Sequence, residues 1–210
     1  MLKAIIFDFW GTLVETGTSS PIRQVKDILR LRLSFPAYVT RMEEAMMTKP
    51  FPTLKEAFTA VFQEFELPEN EWQLQELVGM WNKSWMLAQP YPEAAKILSE
   101  LQRKYQLILI SNTDSTSIPK VLEKFQLHPY FAKTYFSYEM GLLKTNPTFF
   151  QKILQEKDLT AEECVMIGDS LESDMKAAKA VGMRGILVDR KDKREFTPKI
   201  KSLEELEQHL

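Results

Sequence analysis

Residues 3–13 read Lys3-Ala-Ile-Ile-Phe-Asp8-Phe-Trp10-Gly11-Thr12-Leu13, and this stretch decides the fold. A short apolar run that ends in one carboxylate and a Gly-Thr turn is typical of a buried parallel strand. We therefore expect Asp8 to lie at the carboxyl end of a strand, in the crevice where sheets of this kind bind ligands. Later residues are expected either to support this aspartate or to cover it.

The composition is that of an ordinary globular protein. The 210 residues are 44% hydrophobic and 27% charged, with a formal net charge of -2, so nothing attracts the whole chain to nucleic acid or to an anionic membrane. Any anionic substrate must therefore be held by local groups. The single cysteine, Cys164, lies in an apolar run and is expected to be a buried, reduced thiol. No stretch has the form of a signal peptide or a membrane span, and the expected location is the cytoplasm.

Residues from about Pro21 to Gln89 show helical periodicity and no convincing strand. The run Thr53-Leu-Lys-Glu56 has the form of a capping box at the start of a helix. The prolines of Pro90-Tyr-Pro92 then interrupt the helical pattern. We predict a helical domain, residues 15–89, inserted into a core formed by residues 1–14 and 90–210.

The second part of the chain alternates strands and helices. The predicted strands are 107–110, 133–136, 164–167 and 185–188, and the predicted helices are about 93–103, 117–126, 147–157, 172–181 and a terminal helix capped by Ser202 and Glu205. This alternation indicates an α/β fold, a parallel sheet with helices on both faces. The mixed-charge run Asp189–Glu195 is predicted to be a solvated loop.

Three carboxylates are predicted to meet at the carboxyl ends of these strands. Asp8 ends the first strand, and Gly168-Asp169-Ser-Leu-Glu-Ser-Asp174 places two more at the end of another strand and the start of the next helix. Converging carboxylates repel one another, and a hard cation or a raised pKa resolves the repulsion. Mg²⁺ fits an all-oxygen set and leaves room for a phosphate. In the alternative interpretation, Asp169 and Asp174 only cap the helix.

Polar residues at two other positions can hold an anion in the same crevice. Ser111 and Asn112 end a second core strand, where hydroxyl, amide and backbone N–H groups can bind a phosphoryl oxygen. Lys144 precedes a helix and can neutralise both Asp8 and a bound anion. Taken singly, a Ser-Asn pair is usually an ordinary turn and a lone lysine a surface residue, so only the combination is informative.

Together these residues resemble the motifs of the haloacid dehalogenase (HAD) superfamily, over most of the chain outside the helical insert. Asp8-Phe-Trp-Gly-Thr12 is similar to the first motif with its nucleophilic aspartate, Ser111 to the second, Lys144 to the third, and Gly168-Asp169 with Asp174 to the acidic fourth. The resemblance implies a Rossmann-like core, a type 1 helical cap that closes over the substrate, and Mg²⁺ as cofactor. It implies catalytic roles for Asp8, Ser111 and Lys144, metal binding by Asp8, Trp10, Asp169 and Asp174, and substrate binding by Gly11, Thr12, Ser111, Asn112 and Lys144.

The sequence departs from the family pattern at Trp10. Phosphatase members usually carry a second aspartate two residues after the nucleophile, which protonates the leaving oxygen and later activates water. Tryptophan has no titratable group, so that role is vacant, although the backbone carbonyl can still bind Mg²⁺. We expect acyl and aryl phosphates, which have good leaving groups, to be favoured, because losing acid–base help costs about 10²- to 10⁴-fold in rate.

The leading hypothesis is a Mg²⁺-dependent hydrolase of the phosphatase type, which acts on a small phosphorylated molecule through an aspartyl-phosphate on Asp8. Two alternatives remain open. A 2-haloacid dehalogenase needs no acid at position 10, but it leaves Asp169 and Asp174 without a role. A phosphate-binding HAD protein with little or no activity also explains Trp10, whereas the presence of Asp8 and Lys144 argues against it.

Side chains of the helical insert raise two further questions. Phosphonate-cleaving members of the superfamily also lack the second aspartate and use a cap lysine; the candidates here are Lys26, Lys49, Lys55 and Lys83, for which an exposed helix position is the simpler interpretation. Aromatic residues at helical spacing can line a substrate pocket, but more often they pack a small helical core. These residues are Phe58, Phe62, Phe65, Trp72, Trp81 and Trp85.

Overall fold

A parallel sheet forms the core, and the amino-terminal apolar run is one of its inner strands, β1. The computed structural model describes all residues from 1 to 210. The strands are β1 (Ala4–Asp8), β2 (Val14–Glu15), β3 (Gln89–Pro90), β4 (Gln106–Ser111), β5 (Lys133–Phe136), β6 (Cys164–Gly168), β7 (Arg184–Val188) and β8 (Lys199–Ile200). The main sheet has the order β5-β4-β1-β6-β7-β8, and every neighbouring pair is parallel. The predicted α/β fold with a Rossmann-like core is confirmed.

The helices follow the predicted pattern, with two differences in type. They are α1 (Pro21–Ile28), α2 (Phe35–Met47), α3 (Leu54–Glu64), α4 (Glu71–Met86), α5 (Ala94–Leu101), α6 (Ser117–Lys124), α7 (Ser137–Met140), α8 (Pro147–Lys157) and α9 (Ala177–Ala180). The predicted helix 172–181 starts as a π-helical turn, Leu171–Lys176, and the terminal element is a 3-10 helix, Leu203–Gln208. No helix combines the length and the apolar character needed to cross a membrane.

The side chains of β1 alternate between two hydrophobic layers, one on each face of the sheet. Ile5 and Phe7 belong to one cluster, and Ala4 and Ile6 belong to the other. All residues of β1 are buried, because helices cover both faces of the sheet. The strand therefore reads as a continuous apolar run rather than as an alternating one.

The parallel register brings the ends of three strands to one edge of the sheet. β1 lies between β4 and β6, with Asp8 beside Ile110 in the pairing with β4. Because the three strands run in the same direction, Asp8, Ser111 and Gly168 end them on the same side. The topology thus gathers the predicted site residues at the carboxyl edge.

Helices α1 to α4 form a helical segment, residues 21–86, with a hydrophobic cluster that includes Tyr38, Phe58 and Phe62 and to which the rest of the chain adds Leu143. The chain enters and leaves this segment through β2 and β3, which pair antiparallel with each other. The predicted helices of this region are confirmed. The division of the chain into two domains stays a prediction.

Candidate active site

Asp8 lies at the carboxyl edge of the sheet with 5% of its surface exposed. The Thr12 hydroxyl donates a hydrogen bond to Asp8 Oδ2 at 3.1 Å, so the turn after β1 orients the carboxylate. Gly11 allows this turn because its φ of 77° is in the left-handed region, and a Cβ there would lie 2.5 Å from Asp169 Oδ2. Gly11 and Thr12 therefore shape the site, and their predicted contact with substrate stays a prediction.

Lys144 contacts two carboxylates that come from different parts of the chain. Its Nζ lies 2.6 Å from Asp8 Oδ1 and 2.6 Å from Asp174 Oδ1, and all three side chains are buried. Burial alone would lower the pKa of Lys144, but the two carboxylates raise it well above its ordinary value. The lysine is therefore a permanent cation beside the predicted nucleophile, and its roles in catalysis and substrate binding stay predictions.

Three carboxylates meet around this lysine. Oxygens of Asp8, Asp169 and Asp174 lie within 4.8 Å of one another. Asp174 comes from the π-helical turn, where the Ser170 N–H donates to its Oδ2 at 2.9 Å. Burial, followed by repulsion from the other carboxylates, raises the pKa of Asp169 to about 7, and burial raises that of Asp8 to about 6 although Lys144 opposes it. Hard oxygen donors that repel one another at this spacing fit a divalent cation such as Mg²⁺.

Ser111 and Asn112 lie beside the carboxylates at the end of β4, and both line the cavity described below. The Ser111 hydroxyl is held only by a 3.3 Å bond to the Asn112 carbonyl. Asn112 Oδ1 accepts from the Lys144 N–H at 2.9 Å, and Asn112 Nδ2 donates to Glu43 Oε2 at 2.8 Å. The amide thus ties the strand end to two other parts of the site, and the binding of phosphate by these residues stays a prediction.

Glu43 is a site residue that the sequence interpretation missed. It lies on α2 and is only partly exposed, and burial raises its pKa to about 7. The signal available in the sequence is its position within an apolar stripe, because Val39, Met46 and Met47 lie three or four residues away on the same face of the helix. A charged residue on such a stripe indicates a polar partner in the fold.

A cavity of about 1160 Å³ lies between the carboxyl edge of the sheet and the helical segment. Its lining includes Asp8 and Asp169 from the core and Glu43 from α2. The only cationic side chains that line it are Lys144 and Lys191. An anionic ligand would therefore meet positive charge at two points only, one of them beside Asp8.

Most aromatic residues of the helical segment lie in its core or on the cavity wall, but Trp72 does neither, because it is 69% exposed. Phe58 and Phe62 are fully buried in the hydrophobic cluster, as predicted for most of these residues. Trp81 and Trp85 line the cavity, together with Trp10 from the core. No lysine among the candidates for phosphonate-type chemistry lines the cavity; these are Lys26, Lys49, Lys55 and Lys83.

Asp114 is a further acid of the site that the sequence interpretation missed, and it is buried. Its Oδ2 accepts a hydrogen bond from Trp81 Nε1 at 2.9 Å, which joins α4 to the loop after β4. Its Oδ1 accepts from the backbone N–H and the hydroxyl of both Thr116 and Ser117, at 2.6 to 3.0 Å. This carboxylate therefore fixes the turn into α6 and the contact of that turn with the helical segment.

Replacing Asp114 by alanine is expected to lower the free energy of unfolding by about 2 to 4 kcal/mol, because it leaves several buried donors without an acceptor. Urea unfolding followed by circular dichroism measures the change. Asp27→Ala, at an exposed position on α1, is the matched control and should change the free energy by less than about 0.5 kcal/mol. Equal effects of the two substitutions would contradict the role given to Asp114.

The prediction that the run Asp189–Glu195 is only a solvated loop is wrong for its two arginines and for Asp189, which is buried. Arg190 Nη2 donates to the Thr12 carbonyl at 2.9 Å, behind the turn that orients Asp8. Arg194 Nη1 donates to the Asp169 carbonyl, at the end of the neighbouring strand. The alternating charges of the run gave no sign of these partners, which come from distant parts of the chain.

Comparison with known proteins identifies relatives that are named phosphatases. A glyceraldehyde 3-phosphate phosphatase from Pyrococcus abyssi is 25% identical over 192 residues, which are 89% of this chain and 81% of that protein. A glyceraldehyde 3-phosphate phosphatase from Methanocaldococcus jannaschii is 36% identical over 128 residues, but these are 57% of this chain and 56% of that protein.

The fold also matches solved structures. The HAD-hydrolase YfnB from Bacillus subtilis, whose structure was determined with bound magnesium, has a TM-score of 0.69 at 20% identity, over 100% of this chain and 98% of that chain. Dehalogenases share the fold as well, so the fold alone does not separate the two chemistries. A family model described as haloacid dehalogenase-like hydrolase matches residues 2–182. The chain, with its parallel sheet and its acidic site at the carboxyl edge, therefore belongs to the haloacid dehalogenase-like hydrolases.

Proposed function

We propose that the chain is a Mg²⁺-dependent phosphatase that hydrolyses a small phosphorylated molecule through an aspartyl-phosphate on Asp8. The main support is the position of Asp8, which lines the cavity while Lys144 and Thr12 hold its two oxygens. A carboxylate fixed in this way is oriented for attack on phosphorus. Relatives named as phosphatases support the same class of reaction.

Asp8, Asp169 and Asp174 would hold the Mg²⁺ ion, with the backbone carbonyl of Trp10 as a further ligand. The short spacing of the three carboxylates and their hard oxygen donors support this assignment. When bound, the ion neutralises charge on the nucleophile and on the phosphate, which allows two anions to approach each other.

Each site residue then has its own role in the reaction. An Asp8 oxygen bonds to phosphorus while the bond from phosphorus to the leaving oxygen breaks. Lys144, Ser111 and Asn112 present an ammonium, a hydroxyl and amide groups to the remaining phosphoryl oxygens. Water then cleaves the aspartyl-phosphate, which releases phosphate and restores the Asp8 carboxylate.

We further propose that residues 15–89 form a cap over a core of residues 1–14 and 90–210, and that this cap selects the substrate. The contact between the helical segment and the loop after β4 supports the proposal. There the Ser115 hydroxyl accepts from the Phe51 N–H and donates to the Phe51 carbonyl, both at 3.2 Å. One hydroxyl thus ties the two parts together next to Asp114, which lines the cavity.

Phosphate release from a panel of aryl, acyl and alkyl phosphates tests the proposed function. Small sugar phosphates come first among the alkyl esters, because several relatives are named glyceraldehyde 3-phosphate phosphatases. We expect release that requires Mg²⁺ and is lost in chelator. Halide release from 2-chloropropionate that survives chelator, without phosphate release, would instead favour the dehalogenase alternative.

Mg²⁺ is expected to stabilise the fold more at about pH 8 than at about pH 5. Burial raises the pKa of Asp8 to about 6 and that of Asp169 to about 7. Without metal, their contribution to stability is therefore greatest when they are neutral, below about pH 4, and it is lost as the pH rises through these values. Since the metal binds the ionised form, the rise in Tm caused by Mg²⁺ should grow with pH. Thermal unfolding in Mg²⁺ and in chelator measures it, and a rise that shrinks with pH would contradict the assigned ligands.

A further inference from the structure

Glu43 holds a distinct place among the acids of the cavity, because it is the only lining acid that comes from the helical segment. Its Oε2 accepts from Asn112 Nδ2 at 2.8 Å, and Asn112 Oδ1 accepts from the Lys144 N–H at 2.9 Å. The same lysine places its Nζ 2.6 Å from Asp8 Oδ1. A short chain of hydrogen bonds therefore fixes the Glu43 carboxyl relative to the nucleophile.

Glu43 is also uncommitted in a way that Asp8, Asp174 and Asp114 are not, and Asp169 is the acid assigned above to the metal. Asp8 and Asp174 both bond to the ammonium of Lys144, and Asp114 accepts from Trp81 and from the turn into α6. Glu43 accepts one hydrogen bond, from a neutral amide, and its other oxygen has no partner in the chain. It can therefore exchange a proton with a bound molecule without breaking an ion pair.

We propose that Glu43 is the general acid and base of the phosphatase reaction, in the role that Trp10 cannot fill. This inference rests on the proposed function. Trp10 lines the cavity beside Asp8 but carries no titratable group, whereas Glu43 lines the same cavity from the side of the helical segment. In an in-line displacement the leaving oxygen departs on the side opposite the nucleophile. Since Asp8 lies on the sheet side of the cavity, the leaving oxygen lies toward the helical segment that carries Glu43.

The proton follows a balanced path through both halves of the reaction. As Asp8 bonds to phosphorus, the bond from phosphorus to the leaving oxygen breaks, and protonated Glu43 gives its proton to that oxygen, so that an alcohol leaves. The Glu43 carboxylate then takes a proton from water while the water oxygen bonds to phosphorus and the bond to Asp8 breaks. Inorganic phosphate leaves, Asp8 is again a carboxylate, and Glu43 is again protonated.

The electrostatic surroundings of Glu43 support this role. Burial raises its pKa to about 7, and the negative charges of Asp174 and Asp8 act in the same direction. The hydrogen bond from Asn112 and the charge of Lys144 act against them. Both protonation states are therefore populated near neutral pH, which is the condition under which one carboxyl serves as acid and then as base.

The test compares substrates that need a proton on the leaving group with substrates that do not. In Glu43→Gln the side chain keeps its size and can still accept from Asn112, but it has no proton to give. We expect kcat for alkyl phosphates to fall about 10²- to 10⁴-fold. With p-nitrophenyl phosphate the first step should change less than about tenfold, so a burst of nitrophenolate and an accumulated phosphoenzyme on Asp8 should appear.

Glu44→Gln, one residue along on the exposed face of α2, is the matched control and should leave the turnover of both substrates unchanged. Equal losses in the rate of phosphoenzyme formation from the two substrates, an increase in KM alone, or no loss would each overturn the role of Glu43. A wild-type chain that forms no phosphoenzyme on Asp8 would overturn the proposed function, and this inference with it. If Glu43→Gln does not fold, Glu43→Asp carries the same comparison, since a shorter acid should slow alkyl esters more than aryl esters.

Discussion

Asp8→Asn is expected to abolish the phosphoenzyme and to lower turnover of every substrate by on the order of 10⁴-fold or more, the scale seen when an enzyme loses its nucleophile. An amide has no negative oxygen to attack phosphorus, and it also contributes less to metal binding than a carboxylate. Intact-mass measurement after mixing with substrate, together with steady-state phosphate release, gives both quantities.

The substitution is designed to preserve the fold, so that a loss of activity reports chemistry. The amide oxygen can still accept from Lys144 Nζ, and the amide nitrogen can donate to the Thr12 hydroxyl, which at present donates to the carboxylate at 3.1 Å. Asp158→Asn makes the same chemical change at an exposed position after α8, where the left-handed backbone suits asparagine. This control should keep full activity.

The same experiment separates the two alternatives that Trp10 leaves open. A phosphoenzyme that forms in the wild type but not in Asp8→Asn supports the phosphatase. A wild type that binds aluminium fluoride and Mg²⁺ but turns over no phosphate ester would instead support a binding protein of low activity. A mass increase at Asp8 from a haloacid rather than from a phosphate would support the dehalogenase.

The parts of the fold that follow from local pattern could be predicted from the sequence. β1 is buried on both faces and therefore reads as an apolar run, and the alternation of strands with helices indicated the parallel sheet. Lys144, in the loop before α8, lies 2.6 Å from Asp8 Oδ1, and its catalytic role stays a prediction. The π-helical turn Leu171–Lys176 could not be predicted, since its unusual backbone comes with the packing of Asp174 into the site.

Contacts between distant elements could not be predicted from local pattern. The place of Glu43 depends on how α2 rests over the end of β4, and that of Asp114 on the approach of α4. A sequence shows that a helix has an apolar stripe, but not which polar neighbour that stripe will meet. The sequence showed that Trp10 has no titratable group, whereas the position of Glu43 in the site became visible only in the structure.

Lys144→Met is expected to lower the free energy of unfolding of the metal-free protein by about 3 to 5 kcal/mol, because it leaves buried carboxylates without their cation. Lys144 Nζ lies 2.6 Å from both Asp8 and Asp174, and its own side chain is 3% exposed. Methionine fills a similar volume, so lost packing contributes little. Lys133→Met, which removes an exposed lysine 4.0 Å from Glu156, is the control and should cost less than about 1 kcal/mol.

The dependence of this loss on pH, metal and a second substitution identifies its cause. Lys144 holds the pKa of Asp8 below the value that burial would impose, so without the lysine that pKa rises further. The neutral acid is then the stable form, and the loss of stability should be largest at high pH and shrink as the pH falls toward about 6, below which Asp8 is neutral in both proteins. Mg²⁺ should recover part of the loss, as should Asp174→Asn in the same chain, which removes one of the repelling charges.

A loss of equal size at all pH values, unaffected by Mg²⁺ or by Asp174→Asn, would mean that Lys144 acts through packing. A role for its charge in holding phosphate would then lack support.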